Sequence, residues 1–155
     1  MAVQTTVSLA PADGLAGQMA TTEGAAFTSR LAEETIAPGL FVVPGDTNPE
    51  TTCALPDLVG EVDGTVHSPV GVAVLDPYRT SADYVDGDAV RICTQGEMFV
   101  NVTAAASLVG GPVYVVFTTG AVRGTADAGA TLLPNAVFLT AGTGVQKIKL
   151  NSPFA

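Results

Sequence analysis

The sequence predicts an all-β domain, a small antiparallel β-sandwich or β-barrel with an extended N-terminal arm and at most one short helix. Three observations carry that reading. Runs rich in Val, Ile, Thr and Phe recur about every 8–12 residues, with Gly, Pro, Asn or Asp between them. One segment alone has a fair claim to be helical. The 17 Gly and 10 Pro stand beside a hydrophobic content of 47% spread among small and β-branched residues, which suits many short strands. At 155 residues the chain suits a single domain that can bury about 70% of its unfolded-state surface without staples. The expected organisation is an extended arm over residues 1–22 and one β-rich domain over 23–155.

The elements follow in order. Residues 1–22 are Ala/Thr/Gly-rich, and Val3, Thr5, Val7 and Leu9 alternate along them, as in an extended arm or an edge strand. "TSRLAEETIA" at 28–37 is the helix candidate, capped by Thr28 or Ser29 and ended by Pro38-Gly39. It reads equally as a strand, because Leu31 and Ile36 share no helical face well. Residues 40–43 form a short strand, followed by a Pro/Gly/Asn loop to about residue 52. A strand at 70–75 stops at Asp76-Pro77, and "DGD" at 86–88 turns into the next. In "VDGDAVRICTQGEMFVNV" the residues Val90, Ile92 and Thr94 alternate with Ala89, Arg91 and Cys93. Gln95-Gly96 then interrupts, and Phe99, Val100 and Val102 resume, which predicts a hairpin with Gly96 supplying a positive φ. "PVYVVFTTG" at 112–120 is the most strongly β stretch. "ATLLP", "AVFLTAG" and "VQKIKL" complete the series, with Gln146, Ile148 and Leu150 on one face of the last, and "GTGVQK" at 142–147 as a hairpin turn.

Charge excludes several classes of partner. Six Lys and Arg against 15 Asp and Glu give a formal charge of −9 and no basic stripe, so a phosphate backbone or an anionic lipid surface is repelled. The start, "MAVQTTVSLAPADG", lacks the basic and apolar regions of a secretory signal, and no apolar run reaches the length of a membrane span. The chain is expected to be made and kept in a cytoplasm, where Cys53 and Cys93 read as two free, buried thiols.

Catalytic chemistry has few candidates. A triad would have to rest on His67, the sole histidine, which sits beside a proline in "GTVHSP" and reads as a surface or hydrogen-bonded structural residue. Zinc spacings are absent. Asp83, Asp86 and Asp88 miss the calcium-loop pattern and read as solvated turn residues. Two carboxylates such as Asp76 and Asp88 could serve a hydrolase, but among 15 acids some such pair is inevitable. No cofactor or metal is expected. A carbohydrate-binding or adhesion module is the alternative from another class, and the lack of Trp, with only three Tyr, counts against it.

The segments "GLAGQMA", "SRLAEETIAPGLFVVPGD", "VGVAVLDPY" and "YVDGDAVRICTQGEMFVNVTAAASLVGGPVYVVFTTG" occur in an order that resembles the capsid cement, or decoration, proteins of tailed bacteriophages. The matching pattern is a G-x-x-G segment, an acidic A-E-E-x-I-x-x-G stretch, a G-V-A strand ending in Asp, a Y-x-x-G-D-x-V strand, and G-x-x-x-V and G-x-x-V returns. It covers about residues 11–120. The resemblance implies a structural virion protein on the outer capsid surface, commonly a homotrimer, that clamps neighbouring subunits of the major capsid protein. An extended, low-charge arm could add a strand to an edge of that protein, which makes Val3, Val7 and Leu9 candidate contacts. Leu108 and Val109, in "AAASLVGG" at 104–111, either meet a capsid subunit or turn over the domain's own core.

Overall fold

The computed structural model describes residues 14–151, apart from 58, 64, 66–69 and 128. The described residues form nine strands and one short helix: β1 (Met19–Ala32), β2 (Phe41–Pro44), β3 (Thr52–Ala54), α1 (Val59–Asp63), β4 (Gly71–Ala73), β5 (Ala89–Ser107), β6 (Pro112–Val116), β7 (Val122–Arg123), β8 (Ala130–Phe138) and β9 (Gly142–Leu150). The sheet order is β1-β3-β2-β4-β5-β7-β6-β8-β9, with added pairings β1–β5 and β5–β9, so the sheet closes on itself twice. One ring runs β1-β3-β2-β4-β5, and the other runs β5-β7-β6-β8-β9. Closure removes most of the exposed edge that a single open sheet would present. The all-β expectation holds. Most pairings are antiparallel, and β1–β3 and β5–β7 are parallel.

Each ring encloses its own core. The first holds Val42, Cys53, Ala73, Tyr84, Val90 and Ile92, with Ala32, Ile36 and Val70. The second is larger and includes Met98, Val100, Val113, Leu133, Phe138 and Ile148. The wall between them is β2 and β4, buried on both faces. Val42 and Ala73 point into the first core, whereas Phe41, Val43 and Val72 point into the second. That explains why "FVV" and "GVA" are unbroken apolar runs, since a strand covered on both sides has no polar face to show.

Strand β5 belongs to both rings. Its N-terminal part pairs with β1 and β4, and its C-terminal part with β9 and β7. The hairpin expected at Gln95-Gly96 is therefore absent, and the chain runs on through Gly96. A positive φ does occur there, at 130°, but it bends a continuous strand. Relative to β1, residue 94 is an extra residue between the pairs Phe27↔Cys93 and Ala26↔Gln95. The bulge shifts the alternation, so that Cys93 and then Met98, Val100 and Val102 all face the second core. A side chain at Gly96 would press on Ala25, whose Cβ would lie 3.1 Å from the added atom. The interruption in the sequence pattern marked a bulge and a close approach.

Other expectations are refined in the same way. The helix candidate at 28–37 is not helical: β1 continues to Ala32, and Ile36 forms a bridge with Tyr84, as the strand alternative required. Residues 19–22, assigned to the arm on sequence, lie in β1. The one helix is α1, which seats Val62 in the second core. "ATLLP" and "AVF" form a single strand, β8, in which Asn135 takes a left-handed φ of 60° beside Pro134. The turn before β9 falls at 139–141, one step ahead of "GTGVQK". Within β9 the face Gln146, Ile148 and Leu150 is buried as expected.

Candidate partner-binding surface

Among the described residues no group of three or more Asp, Glu, His or Cys is arranged to hold a metal, and His67 lies outside the described residues. The carboxylates weighed as a catalytic pair are used within their own loop. Asp76 Oδ1 accepts the Tyr78 N–H at 2.9 Å. Asp88 Oδ2 accepts the Val85 N–H at 2.7 Å and pairs with the Arg79 guanidinium. These interactions hold the Asp88 carboxyl below the usual carboxylate range, the opposite of what a general acid needs. Cys53 and Cys93 are free and buried in different cores, and burial pushes both thiols up to about 11. Neither is poised as a nucleophile.

The G-x-x-G and A-E-E-x-I-x-x-G segments meet in space, and their glycines have a steric reason. A Cβ on Gly14 would strike the Phe99 ring at 2.3 Å. Gly17, at φ 82°, and Gly39, at φ 84°, leave no room for a side chain between them. Gly17 also bonds across the structure, its N–H donating to Phe99 O at 2.8 Å and its carbonyl accepting from Leu75 N at 2.8 Å. The chain thus enters the described region pinned at the middle of β5, between the two rings.

The two glutamates of the same motif fasten loops. Glu33 accepts the N–H groups of Asp46 at 2.9 Å and Thr47 at 2.8 Å, and Glu34 accepts that of Leu55 at 2.8 Å. Hydrogen bonds from the Thr52 hydroxyl and the loop N–H groups lower the Glu33 carboxyl below its ordinary 4.5. A depressed folded-state value means that the stabilisation is complete above pH about 4.5 and fades as pH falls through the lower, folded value. Thermal unfolding followed by circular dichroism will show the midpoint dropping across that acid window. In Glu33→Gln the midpoint will be lower at neutral pH and will drop less on acidification.

Exposed apolar side chains mark the two ends of β5, a strand long enough to span up to about 60 Å. At its C-terminal end Leu108 and Val109, on the turn into β6, are 71% and 70% exposed. At its N-terminal end the loop 76–88 displays Tyr78, 95% exposed, and Val85. Leu31, half-exposed, lies alongside, paired with Ala89 on one side and Thr52 on the other. Tyr78 and Val85 had no signature in the sequence beyond a turn, because exposure of a single aromatic has no periodic signal. Val3, Val7 and Leu9 lie outside the described residues.

Comparison with known proteins finds a family and a solved fold that this chain resembles. The family model described as structural cement protein (E217 gp24/Pam3 gp6) matches residues 3–151. A chain from the capsid of Myoviridae phage XM1 has a similar fold, with a TM-score of 0.73 at 19% sequence identity, covering 98% of this chain and 99% of that one. No curated protein matches.

Proposed function

The chain belongs to the structural cement protein family of bacteriophages, and from that premise we propose that it binds the outer surface of an assembled capsid and clamps neighbouring major-capsid subunits, as a homotrimer. The family match over residues 3–151 carries the proposal. The physical chemistry agrees with it. A chain of net charge −9 avoids nucleic acid during assembly. The doubly closed sheet, with its thiols buried and the Glu33, Glu34, Asp76 and Asp88 carboxylates bonded to loop backbone, suits a scaffold for surfaces. A ligand that binds only the closed lattice stabilises it by mass action, and three linked copies would add avidity. The arm residues Val3, Val7 and Leu9 and the turn residues Leu108 and Val109 are the contacts proposed at the shell.

The test is sedimentation of purified protein with expanded empty shells that lack it, comparing the full chain with a deletion of residues 1–10. Saturable co-sedimentation weakened by the deletion is the expected result and assigns the arm to the contact. Binding indifferent to the deletion keeps the function and removes the arm from the interface. A chain that binds no shell of its own phage is not a cement protein.

A further inference from the structure

We propose that the loop 76–88 is a shell-facing docking surface, with Tyr78 as its anchor, and that its occupant is a basic segment of the major capsid protein carrying an apolar side chain. This rests on the cement reading and names the chemistry of one contact.

The loop is held rigid by bonds that leave its most hydrophobic residue outside. Pro77 and the Asp76 carboxylate fix a tight turn, with Tyr78 N–H on Asp76 Oδ1 at 2.9 Å. Tyr84 anchors the far side: its hydroxyl donates to Val74 O at 2.6 Å, and its backbone exchanges two hydrogen bonds of 2.9 Å with Ile36. Arg79 lies over the Tyr84 ring at 4.7 Å and pairs with Asp88. Gly87 N–H on Ala32 O and Ala32 N–H on Asp88 O, both 2.8 Å, tie the loop end to β1. None of these bonds uses the Tyr78 ring, which is 95% exposed. A fixed backbone presenting an unused tyrosine has already lost the conformational entropy that binding would otherwise cost. Tyrosine is also among the residue types that dominate binding energy at protein interfaces.

Beside Tyr78 lies a hollow of about 340 Å³ walled by Val74, Leu75, Pro77, Tyr84, Ala89 and Arg91, room for one or two side chains. Charge decides what can fill it. The loop carries Asp76, Asp83, Asp86 and Asp88 against one base of its own, Arg79, which pairs with Asp88, and the other base at the hollow, Arg91, lies over the Phe27 ring, so acid remains in excess. The same acidic loop on a second copy would be repelled from this one. A lysine- or arginine-bearing segment with an apolar tip meets both the acids and the hollow.

The experiment measures binding to expanded empty heads of the phage that encodes this chain, prepared without it. Tyr78→Ala is expected to weaken binding about tenfold or more while leaving the thermal midpoint unchanged. Tyr78→Phe is expected to keep most of it. The double change Asp83→Lys with Asp86→Lys is expected to weaken binding and to reduce its sensitivity to salt. Wild-type binding together with unchanged binding of all three variants overturns this inference and leaves the cement reading intact. A Tyr78→Ala protein that instead loses self-association, seen by sedimentation velocity without shells, also overturns it, because the loop would then lie between copies. Absence of wild-type binding removes the cement reading and this inference with it.

Discussion

Replacing Gly71 with alanine will destabilise the protein by about 3 kcal/mol or more, a large fraction of the stability of a small domain. Gly71 opens β4 at φ 154°, a conformation that L side chains rarely adopt. A Cβ there would lie 2.1 Å from the Cys93 carbonyl oxygen and 2.9 Å from its carbon. Those are backbone atoms of β5 and cannot rotate away, so relief requires β4 and β5 to separate where Val72 pairs with Cys93. Gly71 also faces Val42 on β2, so the damage falls on the wall common to both cores. Gly24 provides the control. Its φ is 67°, but nothing lies within 4 Å of an added Cβ, so Gly24→Ala should cost only about 1 kcal/mol, the conformational penalty by itself. Denaturant unfolding of the two variants beside the parent measures the difference. Equal losses would mean that the close approach at Gly71 contributes nothing.

Much of this fold was legible because strands with one solvent face leave a period of two. The stretch "VQKIKL" exposes Lys149 and buries Ile148 and Leu150 as its alternation says. Pairing was not legible. Nothing in "FVVP" or "GVA" tells a partition between two cores from an ordinary inner strand, because the only difference is what lies on the far side. Gly96 was misread for a related reason. A glycine between β-branched runs suits a two-residue turn as well as a bulge, and the choice here depends on β1 and β9, which lie far away in sequence.

The surface divided along similar lines. Leu108 and Val109 were legible only as apolar residues in a turn, which suits a contact with a partner and a cover over the domain's own core equally. The glycines and glutamates carrying the family resemblance were visible, yet their purpose was not, since it lies in contacts such as Gly17 with Gly39 and Glu33 with the 46–47 backbone. Tyr78 was hidden by its turn. The Asp-Pro-Tyr sequence fixes the backbone, whereas the exposure of the ring depends on packing that seats Tyr84, and not Tyr78, in the first core.

Phe41→Ala will lower stability by about 3–5 kcal/mol, the cost of a large cavity in a core that cannot collapse around it, and will weaken both cores together. Phe41 is fully buried in the second core, while its neighbour Val42 faces the first. Its backbone N–H donates to Gly120 O at 2.9 Å, tying the wall to the loop that precedes β7. With β2, β4 and β5 common to both enclosures, neither can lose its packing while the other keeps a complete lining. The two thiols report this directly, Cys53 from the first core and Cys93 from the second. In single-cysteine proteins, made by changing the other thiol to alanine, reactivity toward a thiol reagent should rise at one common denaturant concentration, once each is corrected for its own alanine substitution. In the Phe41→Ala background both transitions should move to lower denaturant by the same amount. Exposure of Cys93 well before Cys53 would mean that the rings unfold separately, and the shared wall would then be a boundary between two cooperative units.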